Sequence, residues 1–438
     1  MQAINNFIQK DGVISSSAPI DFLNTEEKKS LMGADKFRIS LYKVFLFQHV
    51  AKAIKSGSIN LQHSYKYRSL DSYLISKERW QIEKLELLER VGMTKFSDPK
   101  PILKDLEQKL SEQFKTTNSK ISSSQNSYVK LTNNSNFIVS TPKQEEHTAE
   151  PLAPFFPIKH FIPLTEILAT VNHQTKFTNE LQHWQQQYNR KKPVSSLLAG
   201  VIGLGCAIGI RKMARISNKI EEDELENVIN WHFSLENIRA ANDCVLSHMD
   251  NMELPKIYRK SPERLHTASD GQKFEVTTDS LNANYSFKYF GKGQGVSAYT
   301  FVDERNLLWH SLVFSAAERE SAYVIDGLMR NDVVKSDIHS TDTHGYSEVI
   351  FAITHFGFSF APRIKNLKKQ TLHIFKSGYK DCNDWSIKPS RIIDVGLIEE
   401  YWDEILRFVI TIKLKENSAS DIFKRLTLIP NNISYTLP

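Results

Sequence analysis

Two aspartates in the second half of the chain are the residues whose type and surroundings could do chemistry: Asp270 in HTASDGQKF and Asp342 in HSTDTHGYSE. Each lies in a short polar segment where a predicted strand meets a turn. Hard divalent cations prefer oxygen ligands, and two metal ions about 3.5–4 Å apart can stabilise the attacking and leaving oxygens of a displaced phosphodiester. If the fold brings both side chains together, they predict a magnesium-dependent (or manganese-dependent) phosphoryl-transfer site.

The segment between these aspartates predicts one α/β unit, because apolar and polar residues begin to alternate at His266. Strands are predicted at 266–274, 296–302, 307–314 and 334–340, with a hairpin turn at 303–306. Ser315 and Glu318 predict a capping box for a helix through about Arg330, and a second helix is predicted over 346–355. Strand, strand, strand, helix, strand, helix is the order of the ribonuclease-H-like fold. In that fold the first and fourth strands are neighbours, which would bring the two acids together.

Weaker candidates lie in the same region. Gly291–Gly295 (GKGQG) lacks the GxxxxGK[ST] spacing of a phosphate-binding loop and precedes a predicted strand, which favours a tight turn. His344 and His355 could be metal ligands or bases, or simply polar side chains near a helix start. Glu348 is better explained as an acid near the positive amino-terminal end of a helix.

Composition excludes several classes of protein. The chain has 438 residues, 40% of them hydrophobic, a formal charge of +6 and three widely separated cysteines. The mild positive charge is compatible with a polyanionic partner such as nucleic acid. Without CxxC pairs, the cysteines predict neither a disulfide framework nor a zinc site and fit a reducing cytoplasm. The amino terminus lacks a signal-peptide pattern, and the longest apolar run, 197–210, is too short to span a bilayer.

The distribution of residue types predicts four regions. Residues 1–115 form a mainly helical domain for DNA binding or dimerisation, with an amphipathic helix over 38–55. Residues 116–160 are rich in serine, asparagine, threonine and proline and predict a polar linker. Residues 161–258 form a helical lead-in, with a helix over 164–188 and one or two helices over 221–246. Residues 259–438 form the catalytic α/β domain.

Several motifs together resemble one known family. SDGQKF, GKGQGVSAYTFVDE, SAAERESAYVIDGLM, HSTDTHGYSE and FGFSFAPRIKNLK are similar to the transposases of the Tn-three family of replicative transposons. LLAGVIGLGCAIGIRKMA and NVINWHFSLENIRAAN resemble the helical segments that precede the family's catalytic domain. The resemblance spans most of the chain and is most specific over residues 194–375.

The resemblance implies a DDE transposase with a ribonuclease-H-like catalytic core preceded by mostly helical domains. Such enzymes use Mg²⁺ or Mn²⁺ held by three acids to cut terminal inverted repeats and to join the freed 3′ ends to target DNA. Asp270 matches the first acid and Asp342 the second, both as catalytic metal ligands. The implied partners are transposon-end and target DNA and a second copy of the chain, with no membrane, in the bacterial cytoplasm at the nucleoid.

The third acid of the family is a glutamate downstream of the segment that resembles 401–426, and no residue here matches it. Glu399, Glu400 and Glu404 precede that point and are expected on a solvated helix face. The chain is therefore expected to be truncated at both ends and to have little or no activity alone.

Two alternative functions stay open. The first is a non-catalytic, DNA-binding remnant of a transposase. Its phosphate contacts would come from Arg363, Lys365, Lys368, Lys369, Lys376 and Lys380. The second is a nuclease of the ribonuclease H type that is unrelated to transposition.

Overall fold

A computed structural model gives the fold of the chain. It describes residues 2–33, 36–55, 58–64, 67–131, 137–140, 161–185, 192–278, 280, 282–329, 333–347, 350–351, 359–364, 366–382 and 384–427.

Helices and strands are both present, so the structure is of the mixed α/β type. The helices are α1 Gln2–Gln9, α2 Thr25–Leu31, α3 Ile39–Lys55, α4 Lys77–Arg90, α5 Pro99–Ser122, α6 Leu164–Thr175, α7 Val194–Gly205, α8 Ile210–Ile216, α9 Glu222–His232, α10 Leu235–Asp250, α11 Glu253–Lys256, α12 Phe287–Phe290, α13 Ser321–Met329, α14 Val395–Glu400, α15 Trp402–Lys413 and α16 Ala419–Thr427. The strands are β1 Met32–Gly33, β2 Lys36–Phe37, β3 Val129–Leu131, β4 Phe137–Val139, β5 His266–Glu275, β6 Asn284–Tyr285, β7 Gln294–Asp303, β8 Leu308–Ser315, β9 Ile338–Thr341, β10 Ser359–Phe360, β11 His373–Ile374 and β12 Arg391–Ile392. Two compact units result, one of residues 1–119 with 369–438 and one of residues 120–368.

The first unit is mainly helical, and its carboxy-terminal helices pack against its amino-terminal ones. Helix α15 is the most buried helix described in this unit, and its Thr411 Oγ1 accepts the backbone N–H of Ile75 at 3.0 Å. The indole N–H of Trp402 donates to the carbonyl of Phe96 at 2.8 Å. The fully buried Arg407 forms ion pairs with Asp71 and with Glu404. The contacts of the last helices with Ile75, Phe96 and Asp71 tie residues more than 300 positions apart into one core.

The second unit begins with a hairpin and a helical layer. The longest apolar run, 197–210, forms most of α7, where Leu197, Gly200 and Gly203 are buried. A Cβ on Gly200 would lie 2.9 Å from the Phe233 ring, so this glycine lets the ring pack directly on the helix. Two helices, α9 and α10, occupy the region predicted to hold one or two. Within the described residues, no helix is both long and apolar enough to cross a bilayer.

The sheet of the second unit has six strands in the order β10-β9-β5-β7-β6, with β8 also paired to β7. Strands β5, β7 and β8 are consecutive antiparallel neighbours, whereas β9 pairs parallel to β5 and β10 parallel to β9. The predicted pairing of the first and fourth strands is therefore present. Residues 303–306 form the turn between β7 and β8, where the backbone N–H of Arg305 donates to Asp303 Oδ1. Helix α13 packs on this sheet, with the Tyr323 ring stacked on Phe314 at 3.6 Å.

Three predicted elements have different bounds. The helix predicted over 164–188 ends at Thr175, because Lys176 adopts a left-handed conformation with φ 56° and Asn172 Oδ1 accepts from the hydroxyl and N–H of Thr178. The strand predicted at 334–340 is confined to Ile338–Thr341. The helix predicted over 346–355 falls mostly outside the described residues.

The predicted capping box is wrong. Ser315 ends strand β8, and its Oγ accepts from the N–H of Ala317 at 3.2 Å. The Glu318 carboxylate accepts from the hydroxyl of Tyr323. Helix α13 begins six residues later than Ser315, at Ser321. Residues 316–320 are therefore a turn that delivers Glu320 to the start of the helix.

Candidate metal centre

Strand register brings the two predicted aspartates together. Ser269 of β5 pairs with Thr341 of β9 in a parallel register, and both side chains are buried. Asp270 is the next residue on β5 and Asp342 directly follows the end of β9, and both side chains are more exposed than their buried neighbours. Because each aspartate directly follows a paired residue, the two carboxylates come close enough for one oxygen of each to lie within 4.8 Å of the other. The role of the two residues as metal ligands stays a prediction.

The carboxylate of Asp342 is oriented by the turn that follows it. Its Oδ1 accepts the backbone N–H of His344 at 2.8 Å and that of Gly345 at 3.2 Å, and its Oδ2 lies 2.8 Å from His344 Nδ1. Partial burial raises the pKa of Asp342, but these hydrogen bonds stabilise the charged form more and hold the pKa below its usual value. The ionised form, which binds cations, is thus favoured. Asp270 Oδ1 similarly accepts the N–H of Gly271 at 2.8 Å.

A third carboxylate, that of Glu320, joins the two aspartates. One oxygen each from Asp270, Glu320 and Asp342 lies within 4.8 Å of the other two. Glu320 is 5% exposed, and its Oε1 accepts from the ammonium of Lys273 on β5. The Lys273 Nζ also lies 4.6 Å from the centre of the Tyr289 ring. Sequence reasoning missed Glu320, because it assigned the segment to a helix beginning at Ser315.

A buried polar network lies on the two strands that carry the aspartates. Ser269 Oγ lies 2.9 Å from the Tyr299 hydroxyl and 2.8 Å from His339 Nε2, and Thr267 Oγ1 lies 2.7 Å from His339 Nδ1. Burial raises the pKa of Tyr299, and the nearby carboxylates of Glu320, Asp342 and Asp270 raise it further. Burial also lowers the pKa of His339 to about 3. Both side chains are thus neutral at pH 7 and join β5, β7 and β9 through hydrogen bonds.

The donor set fits a hard divalent cation. Carboxylate oxygens are the ligands that Mg²⁺ and Mn²⁺ accept in proteins. Three carboxylates so close together repel each other, and Lys273 offsets only one of the three charges. The three carboxylates and Lys273 together leave a formal charge of two minus, which one divalent cation would balance. Asp270, Glu320 and Asp342 could therefore hold such an ion.

The other residues considered from sequence do not join this cluster. Glu399 and Glu400 are exposed on α14, and Glu404 pairs with Arg407 at 2.8 Å within the first unit. Gly291 has φ 61° and forms part of a turn before β7. His355, Glu348 and Lys365 lie outside the described residues. Among the basic candidates, Arg363, Lys369, Lys376 and Lys380 are exposed.

Comparison with known proteins gives the class to which this fold and site belong. The family model of the Tn3 (Tn-three) transposase DDE domain matches residues 166–434. The chain belongs to this family.

Several curated relatives match nearly the whole chain. The transposase for transposon Tn1546 of Enterococcus faecium is 24% identical over 427 residues, which cover 94% of this chain and 41% of the relative. The transposase for transposon Tn2501 of Escherichia coli is 26% identical over 95% of this chain and 42% of the relative. The transposase for transposon gamma-delta of Escherichia coli (strain K12) is 24% identical over 88% of this chain and 39% of the relative. The chain thus spans about two fifths of the length of these relatives.

Proposed function

We propose that this chain carries the catalytic core of a DDE transposase, which cuts DNA at transposon terminal inverted repeats and transfers the freed strands to target DNA. Asp270 and Asp342 are the catalytic metal ligands. The observation that carries the proposal is the convergence of Asp270 on β5, Asp342 directly after the neighbouring parallel strand β9, and Glu320. Membership of the Tn3 family supports the same function.

The topology supports a ribonuclease-H-like core. Three antiparallel strands, β8, β7 and β5, are followed in the sheet by β9 and β10, which run parallel to β5. Helix α13 connects the third strand, β8, to the fourth, β9. With β5 and β9 adjacent, Asp270 on the first strand lies beside Asp342, which follows the fourth. This arrangement supports the proposed metal-dependent chemistry.

Backbone N–H groups orient the two aspartate carboxylates in the metal-free chain. The N–H groups of Gly271, His344 and Gly345 fix the Asp270 and Asp342 carboxylates in orientation before any ion binds. When bound, Mg²⁺ or Mn²⁺ would activate the attacking water or 3′-hydroxyl and stabilise charge on the phosphodiester oxygens. Pre-oriented ligands lower the reorganisation that this requires.

Metal-dependent cleavage of transposon-end DNA tests the proposal directly. The assay is nicking of a supercoiled plasmid that carries the terminal repeats flanking the gene, with Mg²⁺ or Mn²⁺ added. Asp270→Asn and Asp342→Asn should each abolish any metal-dependent nicking, whereas Glu275→Gln, an exposed change on the same strand, should leave it intact. Robust nicking that survives both aspartate substitutions would overturn the proposal.

A further inference from the structure

We propose that residues 284–292 (NYSFKYFGK), here called the aromatic segment, bind a single strand of DNA beside the acidic cluster of Asp270, Glu320 and Asp342. Bases of the strand stack on exposed aromatic rings of the segment, and its lysines contact the phosphates. This inference rests on the proposed function, because it assigns the substrate strand to a surface next to the same site.

Exposure is the first argument. Phe287 is 86% exposed and Tyr285 is 72% exposed, and large apolar side chains exposed close together mark interaction sites. Lys288 and Lys292 are exposed among these aromatic residues, and the segment contains no acidic residue. Aromatic rings interleaved with cations are typical of surfaces that bind single-stranded nucleic acid, because any base can stack on a ring while cations follow the phosphates. In a duplex the bases are already stacked on each other, so a duplex would use the lysines but not the rings.

The anchoring of the segment is the second argument. Tyr285 of β6 pairs with Gln294 of β7, and the Phe290 ring lies so close to Gly295 that an added Cβ would overlap the ring. Phe290 thus holds the segment on the sheet, whereas Phe287, three residues earlier on α12, stays in solvent. The packing of the fold therefore accounts for Phe290 but not for Phe287, and a binding role accounts for the exposed ring.

The contacts with the acidic cluster are the third argument. The Lys273 ammonium lies 4.6 Å from the centre of the Tyr289 ring and also bonds Glu320 Oε1. The Lys288 ammonium lies 4.7 Å from the centre of the same ring and 3.0 Å from its hydroxyl. A single lysine thus connects the aromatic segment to the cluster. The two ammonium groups would offset the repulsion between the phosphates of a bound strand and the carboxylates.

Binding of a labelled single-stranded oligothymidine to the full chain, followed by fluorescence anisotropy in EDTA, tests the assignment. Without metal, the measurement does not depend on activity. Phe287→Ala should weaken binding at least about fivefold, because the loss of one stacked base has an effect of this size. Phe161→Ala is the matched control and should bind like wild type, since Phe161 is 88% exposed in the same compact unit but lies outside the segment.

Further variants separate stacking from apolar contact and from charge. Phe287→Tyr keeps an aromatic ring and should bind like wild type, whereas Phe287→Leu keeps only apolar surface and should bind as weakly as Phe287→Ala. Lys288→Gln should lower the slope of log affinity against log salt by about 0.7, the value for one phosphate contact in a single strand. Both side chains are exposed, so circular dichroism should show the wild-type fold for each variant.

The outcomes separate this inference from the proposed function. Wild-type binding by Phe287→Ala, or an equal loss in Phe161→Ala, would overturn the inference. Nicking that requires metal and is lost in Asp270→Asn would still support the proposed function in that case.

Two other results would assign the exposed ring to a different partner. An equal loss of affinity for a duplex would mean that the segment does not recognise unstacked bases, and would overturn the assignment to a single strand. Dissociation of a dimer by Phe287→Ala, with DNA binding unchanged, would place the ring at an interface between two copies of the chain and would also overturn the inference.

Discussion

At the scale of single residues, His339 links the sheet core to the candidate metal centre. Its two ring nitrogens lie within hydrogen-bonding distance of Thr267 and Ser269, the residues that lead to Asp270 on the neighbouring strand. The side chain is completely buried, and burial lowers its pKa to about 3. A protonated imidazole would leave its charge without solvent in the middle of the sheet, so the folded state binds the neutral form.

Folding stability should therefore fall as the pH is lowered below 6.5. Between pH 6.5 and about 3 the unfolded chain takes up a proton on His339 that the folded chain does not. Stability then changes by at most about 1.4 kcal/mol per pH unit from this group, and above pH 6.5 the group contributes no pH dependence. By pH 5 the loss is about 2 kcal/mol.

Urea unfolding at pH 7.5 and pH 5 measures this effect. His339→Gln keeps a side chain that can hydrogen-bond to Thr267 and Ser269 but cannot be protonated in this range. The variant should lose less stability between the two pH values than the wild type does. An identical loss in both proteins would contradict the assignment, because the remaining pH dependence comes from other titratable groups, such as the buried His232, that both proteins share.

The residues of the site were not equally predictable. Asp270 and Asp342 could be found from sequence, because alternation marks each strand and the strand order makes the two strands neighbours. Glu320 could not, because its place depends on a helix start and on a partner, Lys273, that lies 47 positions away. An available signal was the glycine after Asp270, which indicates a close approach by some other group.

At the scale of secondary structure, the packing of α13 on the sheet positions the turn that holds Glu320. Gly327 of α13 faces Phe301 of β7 so closely that an added Cβ would lie 2.0 Å from the ring. The Phe314 ring of β8 stacks on Tyr323, one turn earlier on the helix. These two contacts fix the height of the helix above the sheet and therefore the place of its first residues.

Gly327→Ala should destabilise the chain even though alanine favours helices. The new methyl group must displace the Phe301 ring or the helix, which costs about 1–3 kcal/mol and exceeds the helix preference of about 0.5–1 kcal/mol. Gly205→Ala is the matched control, since Gly205 ends α7 and has no atom within 4 Å of an added Cβ. Denaturant unfolding should show a loss for the first variant and no loss for the second. Equal stabilities would contradict the close packing of α13.

Helices and strands were predicted correctly where the periodicity of apolar residues determines them. Helix ends were predicted wrongly where local side-chain hydrogen bonds determine them. Strands β5, β7 and β8 follow the alternation of their residues, and α3 follows its apolar stripe. The end of α6 depends on the hydrogen bonds between Asn172 and Thr178, which cannot be predicted from the spacing of apolar residues. The start of α13 depends similarly on Glu318, which bonds Tyr323 instead of completing a cap.

At the scale of the whole molecule, positive charge is the property that a DNA partner would use. The chain carries a formal charge of +6, and exposed lysines include Lys376 and Lys380 on the short 3₁₀ segment Lys376–Cys382. These two lysines were proposed from sequence as phosphate contacts. Lys100 and Lys104 on α5 belong to the same compact unit, are also exposed and have the same spacing of four residues. The two pairs therefore allow a comparison at equal net charge.

We expect binding to double-stranded DNA to weaken steeply between 50 and 200 mM salt, because each neutralised phosphate releases condensed counterions. Replacing Lys376 and Lys380 with alanine should lower the slope of log affinity against log salt by about 2 if both contact phosphates, since each contact contributes about 0.9. The same change at Lys100 and Lys104 removes equal charge, so it controls for the overall field and should alter the slope less. Fluorescence anisotropy with a labelled duplex gives both slopes. Equal slopes for the two variants would mean that net charge, rather than the Lys376–Cys382 segment, governs DNA binding.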